Sequence, residues 1–269
     1  MSYKSLITHV VPDRGCQSRL RMAASVGRKL DAEVIGLGAC APWPSADVAA
    51  EGFESILRQA QDDLTSAQQA FVAHFADPSV RSAWRAEVGY PDRLAPQHAR
   101  VADLVLAYPT QGDVDRLTYT TADVLVMETG LPVLMMPRKE ADYCGETVLV
   151  CWKNTREARR AVSASLPLLT AARRVLVAAV CGREQLEATE AELADVAQRL
   201  ARHGVTAGTL AEVDAPGKAG QRLLSIAATD RSDLIVSGAY GHSRLREWVL
   251  GGVTRDLVEA GEPYVLLSH

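Results

Sequence analysis

The chain has 269 residues, of which 48% are hydrophobic and 5% aromatic, and it carries a formal net charge of −4 at pH 7. This length fits one large domain or two ordinary ones, and cores rich in Val, Leu, Ala and Ile are typical of parallel sheets covered by helices. The negative charge and the scattered aromatic residues argue against a general nucleic-acid surface. Because there is no apolar run of about 18 residues and no signal-peptide core, we expect a cytoplasmic protein.

Cysteine and histidine patterns give no support to a metal or redox site. The five cysteines form no CxxC pair, and Cys151 and Cys181 each follow an apolar run typical of a strand. We therefore expect buried thiols at these two positions. The six histidines form no HExxH or HxH pattern, so the sequence predicts no metal site.

The first half of the chain alternates apolar runs typical of strands with helical periods. Its first helix is expected to begin with Ser18 as N-cap, since Met22, Val26 and Leu30 recur every four residues. A long amphipathic helix follows the apolar stripe that starts at Phe53, and a short irregular helix is predicted over 91–100. The predicted strands of this half are 6–10, 32–37, 82–88, 103–106 and 133–136.

A charged stretch over 138–146 lacks any apolar period and is the predicted linker between two domains, 1–138 and 146–269. After it the pattern starts again. A capping box of Asn154 and Glu157 is expected to open the first helix of this half, and Gly204 to end the second. The predicted strands are 147–152, 175–180, 205–213, 234–236 and 264–268, and a third helix is predicted over 216–229.

The two halves can be superposed by hand, which indicates an internal duplication. ETGLPVLMMP at 128–137 matches EAGEPYVLLS at 259–268, and ADLVLA at 102–107 matches SDLIVS at 232–237. Both halves share one order of five strands and four helices, and this alternation predicts a parallel sheet with right-handed crossovers in each.

A glycine motif follows the strand at 234–236, with glycines at positions 238, 241, 251 and 252. Glycine permits a positive φ and lets a ligand approach the backbone closely, and the helix start that comes next offers unpaired N–H groups to an anion. The Gly-x2-Gly-x9-Gly spacing, between SDLIVSG and the final strand PYVLLS, resembles the nucleotide-binding signature of the universal stress protein family.

This resemblance covers both halves and implies a tandem universal stress protein. The implied fold is α/β, with two doubly wound, Rossmann-like parallel-sheet domains of strand order 3-2-1-4-5 and a ligand at the switch point between strands one and four. The implied ligand is ATP, with or without magnesium, in the second half. The fifth strands are implied to pair, within one chain as a pseudo-dimer or in a homodimer. The residues assigned to the nucleotide site are Trp152, Lys153, Asn154, Val180, Gly238, Ala239, Gly241, His242, Ser243, Arg244, Gly251, Gly252, Val253 and Thr254.

Two positions depart from the family pattern. Gly252 stands where nucleotide-binding members usually have Ser or Thr, so the nearest hydroxyls are those of Thr254 and Ser243. Lys153 stands where these members commonly have an aspartate that contacts the nucleoside. A nucleotide-free scaffold that acts through protein contacts is therefore a second hypothesis.

The first half lacks the glycine motif, since YPTQGDVD at 108–115 takes its place. Tyr108 and Pro109 make this loop bulky, and Asp113 and Asp115 would repel phosphate. We therefore expect a degenerate domain with a structural role.

Enzymatic motifs are lacking throughout the sequence. There is no SGGxDS-type loop of ATP-pyrophosphate-cleaving ligases, no GxSxG elbow, no paired carboxylates and no Cys/His dyad. The sequence therefore predicts at most weak ATP hydrolysis rather than a dedicated enzyme.

Overall fold

The computed structural model describes residues 2–42, 53–109, 118–214, 217–241 and 252–269. Residue contacts divide the chain into two units. The N-terminal unit consists of Ser2–Val133 and Glu140–Asp142, and the C-terminal unit of Leu134–Lys139 and Tyr143–His269. The predicted domains place 134–138 in the first half instead. One contact that ties this segment to the C-terminal unit is the bond from the backbone N–H of Arg138 to the carbonyl oxygen of Gly261, at 2.8 Å. The domain boundaries at 138 and 146 stay a prediction.

The first half alternates strands and helices, as the sequence predicts. Its elements are β1 (Ser5–His9), α1 (Cys16–Leu30), β2 (Glu33–Cys40), α2 (Phe53–His74), β3 (Ser82–Val88), α3 (Pro91–His98), a 3₁₀ turn (Ala99–Val101), β4 (Leu104–Ala107), α4 (Ala122–Glu128) and β5 (Val133–Met135). The strand order is β3-β2-β1-β4-β5. β1 pairs in parallel with both β2 and β4, so the direction of the connections reverses beside β1.

The second half repeats this arrangement. Its elements are β6 (Thr147–Cys151), α5 (Arg156–Leu169), β7 (Arg174–Cys181), a 3₁₀ turn (Arg183–Gln185), α6 (Leu186–Ala201), β8 (Ala207–Val213), α7 (Ala219–Asp230), β9 (Leu234–Gly238), α8 (Gly252–Ala260) and β10 (Tyr264–Ser268). The strand order is β8-β7-β6-β9-β10, with β6 parallel to both β7 and β9. The predicted order 3-2-1-4-5 is therefore confirmed in both halves.

Apolar strands buried on both faces make up the core of each half. In the second half, Leu149 in β6 and Val236 in β9 are 0% exposed, as expected for central strands that helices cover on both sides. In α6 the buried residues form one stripe, which consists of Leu193, Val196 and Leu200. Each such fully buried side chain contributes about 1.5–3 kcal/mol to folding. Within the described residues, no helix is both long enough and apolar enough to span a membrane.

The start of α1 differs from the prediction. The helix begins at Cys16, with Gly15 at the N-cap, so Ser18 lies inside the first turn and does not cap it. Asp13 shapes the turn instead, because its Oδ1 accepts a hydrogen bond from the Gly15 N–H at 2.8 Å. The apolar period of four predicted the helix correctly, but the predicted N-cap, Ser18, is wrong.

Candidate functional site

A cleft of about 320 Å³ opens in the C-terminal unit at the carboxyl ends of β6 and β9. These strands are neighbours, with Cys151 opposite Ser237 in the last register position. The cleft therefore lies at the switch point of the strand order, where doubly wound sheets bind ligands. The residues that line it are Cys151, Trp152, Lys153, Thr155, Glu157, Ala158, Val180, Ala219, Leu223, Ser237, Gly238, Tyr240, Gly241, Gly252, Val253 and Thr254.

The cleft brings together many of the residues that the sequence assigns to the nucleotide site. Those that line it are Trp152, Lys153, Val180, Gly238, Gly241, Gly252, Val253 and Thr254. Four others lie outside the described residues, namely His242, Ser243, Arg244 and Gly251. The sequence reasoning missed several lining residues because they come from helix starts and a strand end beside the glycine motif, namely Thr155, Glu157, Ala158, Ala219, Ser237 and Tyr240.

Asn154 and Ala239 are not among the lining residues, although the sequence assigned both to the site. The side chain of Asn154 is engaged by α6, because its Nδ2 donates to Glu192 Oε1 at 3.1 Å. Ala239 is 1% exposed and extends the sheet, since its N–H donates to the carbonyl oxygen of Ser268 at 2.9 Å.

The predicted capping box at the start of α5 is wrong for the same reason. Thr155 is the N-cap, and its Oγ1 accepts a hydrogen bond from the N–H of Ala158 at 3.3 Å. Asn154 cannot cap the helix while its side-chain oxygen Oδ1 accepts a 2.7 Å bond from Arg159.

Three helices of this unit begin at the cleft. The lining residues include Ala158 in the first turn of α5 and the first residues of α7 and α8, Ala219 and Gly252. The first turn of a helix has unpaired N–H groups and the positive end of the dipole. The cleft is therefore built to attract an anion, even before the side chains are considered.

Glu157 compensates one of these three helix starts. It lies in the first turn of α5 and is 2% exposed, and its Oε1 accepts a 2.5 Å bond from Arg156 Nε. Burial acts to raise the pKa of Glu157, but hydrogen bonds from Arg156, its own backbone and Thr155 outweigh burial and hold the pKa below its usual value. Its ionised carboxylate offsets the positive end of α5. The first turns of α7 and α8 contain no acidic residue of their own, but the carboxylate of Asp256, in α8, lies beside Gly220 in the first turn of α7.

The glycines of the motif lie in different surroundings. A Cβ at Gly238 would lie 2.6 Å from the backbone nitrogen of Ala158, so this glycine is required where the end of β9 packs against α5. At Gly241 and Gly252 a Cβ would meet no atom of the described residues within 4 Å. The positive φ that the motif suggests is found at Tyr240 instead, with φ 58°, and at none of these three glycines.

Cys151 closes the floor of the cleft as a buried thiol, as predicted. Burial raises its pKa to about 12, so the thiol stays protonated at neutral pH and is a poor nucleophile. Cys181, the last residue of β7, is half-buried rather than buried.

The corresponding place in the N-terminal unit is filled by the protein itself. The cavity there measures only about 30 Å³. Arg19, in α1, is 8% exposed and forms two hydrogen bonds with Asp13, at 2.7 and 3.2 Å. Its guanidinium carbon lies 5.2 Å from the ring centroid of Tyr108, and the hydroxyl of Tyr119 donates to Asp13 at 2.6 Å.

Among the described residues Arg19 fills this place, and the sequence reasoning missed it. Of the residues named there instead, Tyr108 contacts Arg19 and Pro109 follows it, whereas Asp113 and Asp115 lie outside the described residues. Arg19 looked like an ordinary basic residue of an amphipathic helix, and only the structure shows its side chain directed inward.

Comparison with known proteins shows the fold. No family sequence model and no curated protein matches the chain. A universal stress protein from Archaeoglobus fulgidus DSM 4304 superposes with a TM-score of 0.73 at 12% identity, over 98% of this chain and 97% of that protein. A functionally unknown protein from Pseudomonas aeruginosa PAO1 gives 0.61 at 14% identity, over 99% and 92%. The chain thus has the tandem α/β fold of a universal stress protein, and the resemblance seen in the sequence is confirmed as a likeness of fold.

Proposed function

We propose that the chain is a universal stress protein that binds an adenine nucleotide, with ATP as the ligand, in the cleft of its C-terminal unit. The observation that carries this proposal is the difference between the two halves. One has a cleft of about 320 Å³ bordered by three helix starts, whereas the corresponding cavity of the other is about 30 Å³ and is filled by Arg19.

The charges around the cleft support a phosphate at the start of α8. Glu157 offsets the positive end of α5, and the carboxylate of Asp256 lies beside Gly220 in the first turn of α7, so the start of α8 is the more favourable place for an anion. Lys153 lines the same cleft and adds a cation. The family pattern would have Ser or Thr at position 252, where this chain has glycine. Thr254, two residues further on, lines the cleft and supplies a hydroxyl instead.

The nucleotide would act through conformation or association, because no general base for rapid turnover has been identified. We expect ATP hydrolysis to be weak if it occurs. Pairing through the fifth strands, in a pseudo-dimer or a homodimer, stays a prediction, as does a cytoplasmic location.

A second candidate is a nucleotide-free scaffold of the same fold that acts through protein contacts. It is favoured by the buried carboxylate of Glu157 beside the cleft, because a negative charge there repels a polyphosphate. The filled cavity of the N-terminal unit favours it as well.

Calorimetric titration of Mg-ATP into the protein and two valine variants separates these candidates. The first variant, Gly252→Val, places a branched side chain in the cleft at the start of α8. Gly238→Val is not used, because its side chain would collide with the backbone of Ala158 and would test only folding. Gly208→Val is the matched control, because Gly208 lies exposed in β8, away from the cleft, with only ordinary contacts around its position.

We expect saturable binding in the parent and in Gly208→Val, and an affinity at least about tenfold lower in Gly252→Val, a loss of about 1.4 kcal/mol. Circular dichroism must show that all three proteins are folded. A parent that leaves millimolar ATP unbound would refute the nucleotide proposal and favour the scaffold.

A further inference from the structure

Glu192, in the middle of α6, contacts the segment that ends β6. One of its carboxylate oxygens accepts a hydrogen bond from the indole Nε1–H of Trp152 at 3.3 Å. The other accepts from Nδ2 of Asn154 at 3.1 Å. A single carboxylate therefore holds the two residues that flank Lys153.

Lys153 lies between these two anchored residues and lines the cleft together with Trp152. The backbone N–H of Trp152 still bonds to β7, at the carbonyl oxygen of Ala178, 2.8 Å away. The polar groups of Trp152 and Asn154 are directed toward α6. Lys153 is exposed and lines the cleft, and of the lining residues that the structure describes it is the one with a cationic side chain.

Additional bonds fix the segment beyond Lys153. The carbonyl oxygen of Lys153 accepts a 2.6 Å bond from the N–H of Thr155, the residue that caps α5. Asn154 in turn accepts a 2.7 Å bond from Arg159. The backbone around Lys153 is therefore held from α6 through Glu192 and from α5 through Arg159.

We propose that Glu192 is a positioning residue of the cleft, which holds Lys153 where its ammonium group meets the anionic part of the ligand. The inference rests on the proposed nucleotide function for the identity of that ligand. Glu192 reaches the ligand only through its neighbours, so its contribution lies in the orientation of Lys153. A long, flexible lysine binds an anion more tightly when its backbone is fixed, since less conformational freedom is lost on binding.

Four variants separate orientation from charge. Glu192→Ala removes both acceptors. Glu192→Gln removes the charge and keeps one acceptor oxygen. This oxygen can accept from Trp152 or from Asn154 but not from both, because Arg159 already occupies the side-chain oxygen of Asn154. Glu190→Ala is the control, because Glu190 is an exposed carboxylate on the same helix. Lys153→Met removes the cation itself.

Mg-ATP titrations should give an affinity about tenfold lower for Glu192→Ala, a smaller loss for Glu192→Gln and no change for Glu190→Ala. In the Lys153→Met background, Glu192→Ala should cause almost no further loss, since coupled residues are not additive. Tighter ATP binding by Glu192→Gln would overturn the proposal, because Glu192 would then act only by repelling the ligand. The proposal would also be overturned if the losses of affinity caused by Glu192→Ala and Lys153→Met were additive in the double variant.

The indole N–H resonance of Trp152, assigned with Trp152→Phe, gives a readout without ligand. It should shift in Glu192→Ala and stay in place in Glu190→Ala. An unmoved resonance would overturn the positioning role whatever ATP does. If the resonance shifts in Glu192→Ala but the parent binds no ATP, Glu192 still anchors the segment. That result would refute the nucleotide function and the ligand contact of Lys153. ATP binding that is indifferent to Glu192→Ala would refute the inference alone.

Discussion

Replacing Arg19 with methionine should destabilise the N-terminal unit. The substitution keeps much of the side-chain volume but removes both hydrogen bonds to Asp13 and a 2.9 Å bond from Arg19 to the carbonyl oxygen of Val11. The side chains of Arg19 and Asp13 are only 10% and 30% exposed. In the variant, a partly buried carboxylate loses its cation.

The magnitude follows from what remains around Asp13. Breaking a fully buried ion pair costs about 3–5 kcal/mol. Asp13 keeps the bonds from Tyr119 and Gly15 and part of its hydration, so we expect a loss of about 2–3 kcal/mol. Combining Arg19→Met with Asp13→Asn should recover part of this loss, because the uncompensated charge is then gone.

The pH dependence has a defined sign. Burial acts to raise the pKa of Asp13, but the bonds from Arg19 and Tyr119 outweigh burial and hold the pKa below its usual value near 3.8. The stability that Asp13 contributes is therefore present at neutral pH and is lost as the pH falls through its folded pKa. The difference between the parent and Arg19→Met should accordingly shrink as the pH falls below about 3.8 toward the lower folded pKa of Asp13.

Urea unfolding followed by circular dichroism measures this effect, with Arg14→Met as the control. Arg14 is exposed in the same loop, and its substitution should change the free energy of unfolding by no more than about 0.5 kcal/mol. If Arg19→Met behaves like Arg14→Met at pH 7, the ion pair does not stabilise this unit as reasoned.

Two further predictions concern packing and protonation. Gly238→Ala should lower the free energy of unfolding by about 1–3 kcal/mol, because its methyl group would press on the backbone of Ala158, whereas Gly241→Ala should be nearly neutral in the same thermal or urea assay; equal effects would contradict this packing. Burial lowers the pKa of His9 to about 4, with Arg19 adding to the shift and the bond to a backbone carbonyl opposing it. The unfolded chain then binds more protons than the folded protein between pH 6.5 and 4, so the free energy of unfolding should fall by about 1–2 kcal/mol as the pH drops through this range. His9→Gln should remove this pH-dependent loss. An unchanged pH profile in His9→Gln would contradict the role of His9.

The sequence predicted the order of elements because period and punctuation are local properties. β3 and β10 were both predicted with their observed bounds, Ser82–Val88 and Tyr264–Ser268. Helix starts were less accurate. Ser18 and Asn154 are good cap residues in isolation, but tertiary contacts decide which side chain is free to cap.

The candidate site was predictable only in part, for the same physical reason. The glycine spacing led to the correct strand end and helix start, but it does not reveal that Gly238 is needed for packing or that Tyr240 takes the positive φ. In the sequence Glu157 looks like a capping-box residue and Glu192 like part of a solvated helix face. Their roles depend on which elements pack together, and no local pattern encodes that.

The inward side chain of Arg19 also has a consequence for competition. A group tethered to the chain is present at its own binding place at an effective concentration that reaches millimolar values or more for a short tether, and Arg19 is held there by Asp13 and Tyr108. A dissolved ligand would have to displace it and leave the carboxylate of Asp13 exposed to the ligand's own negative charge. With the proposed function, a titration of the intact chain should therefore saturate at one nucleotide per molecule, although the fold is present twice.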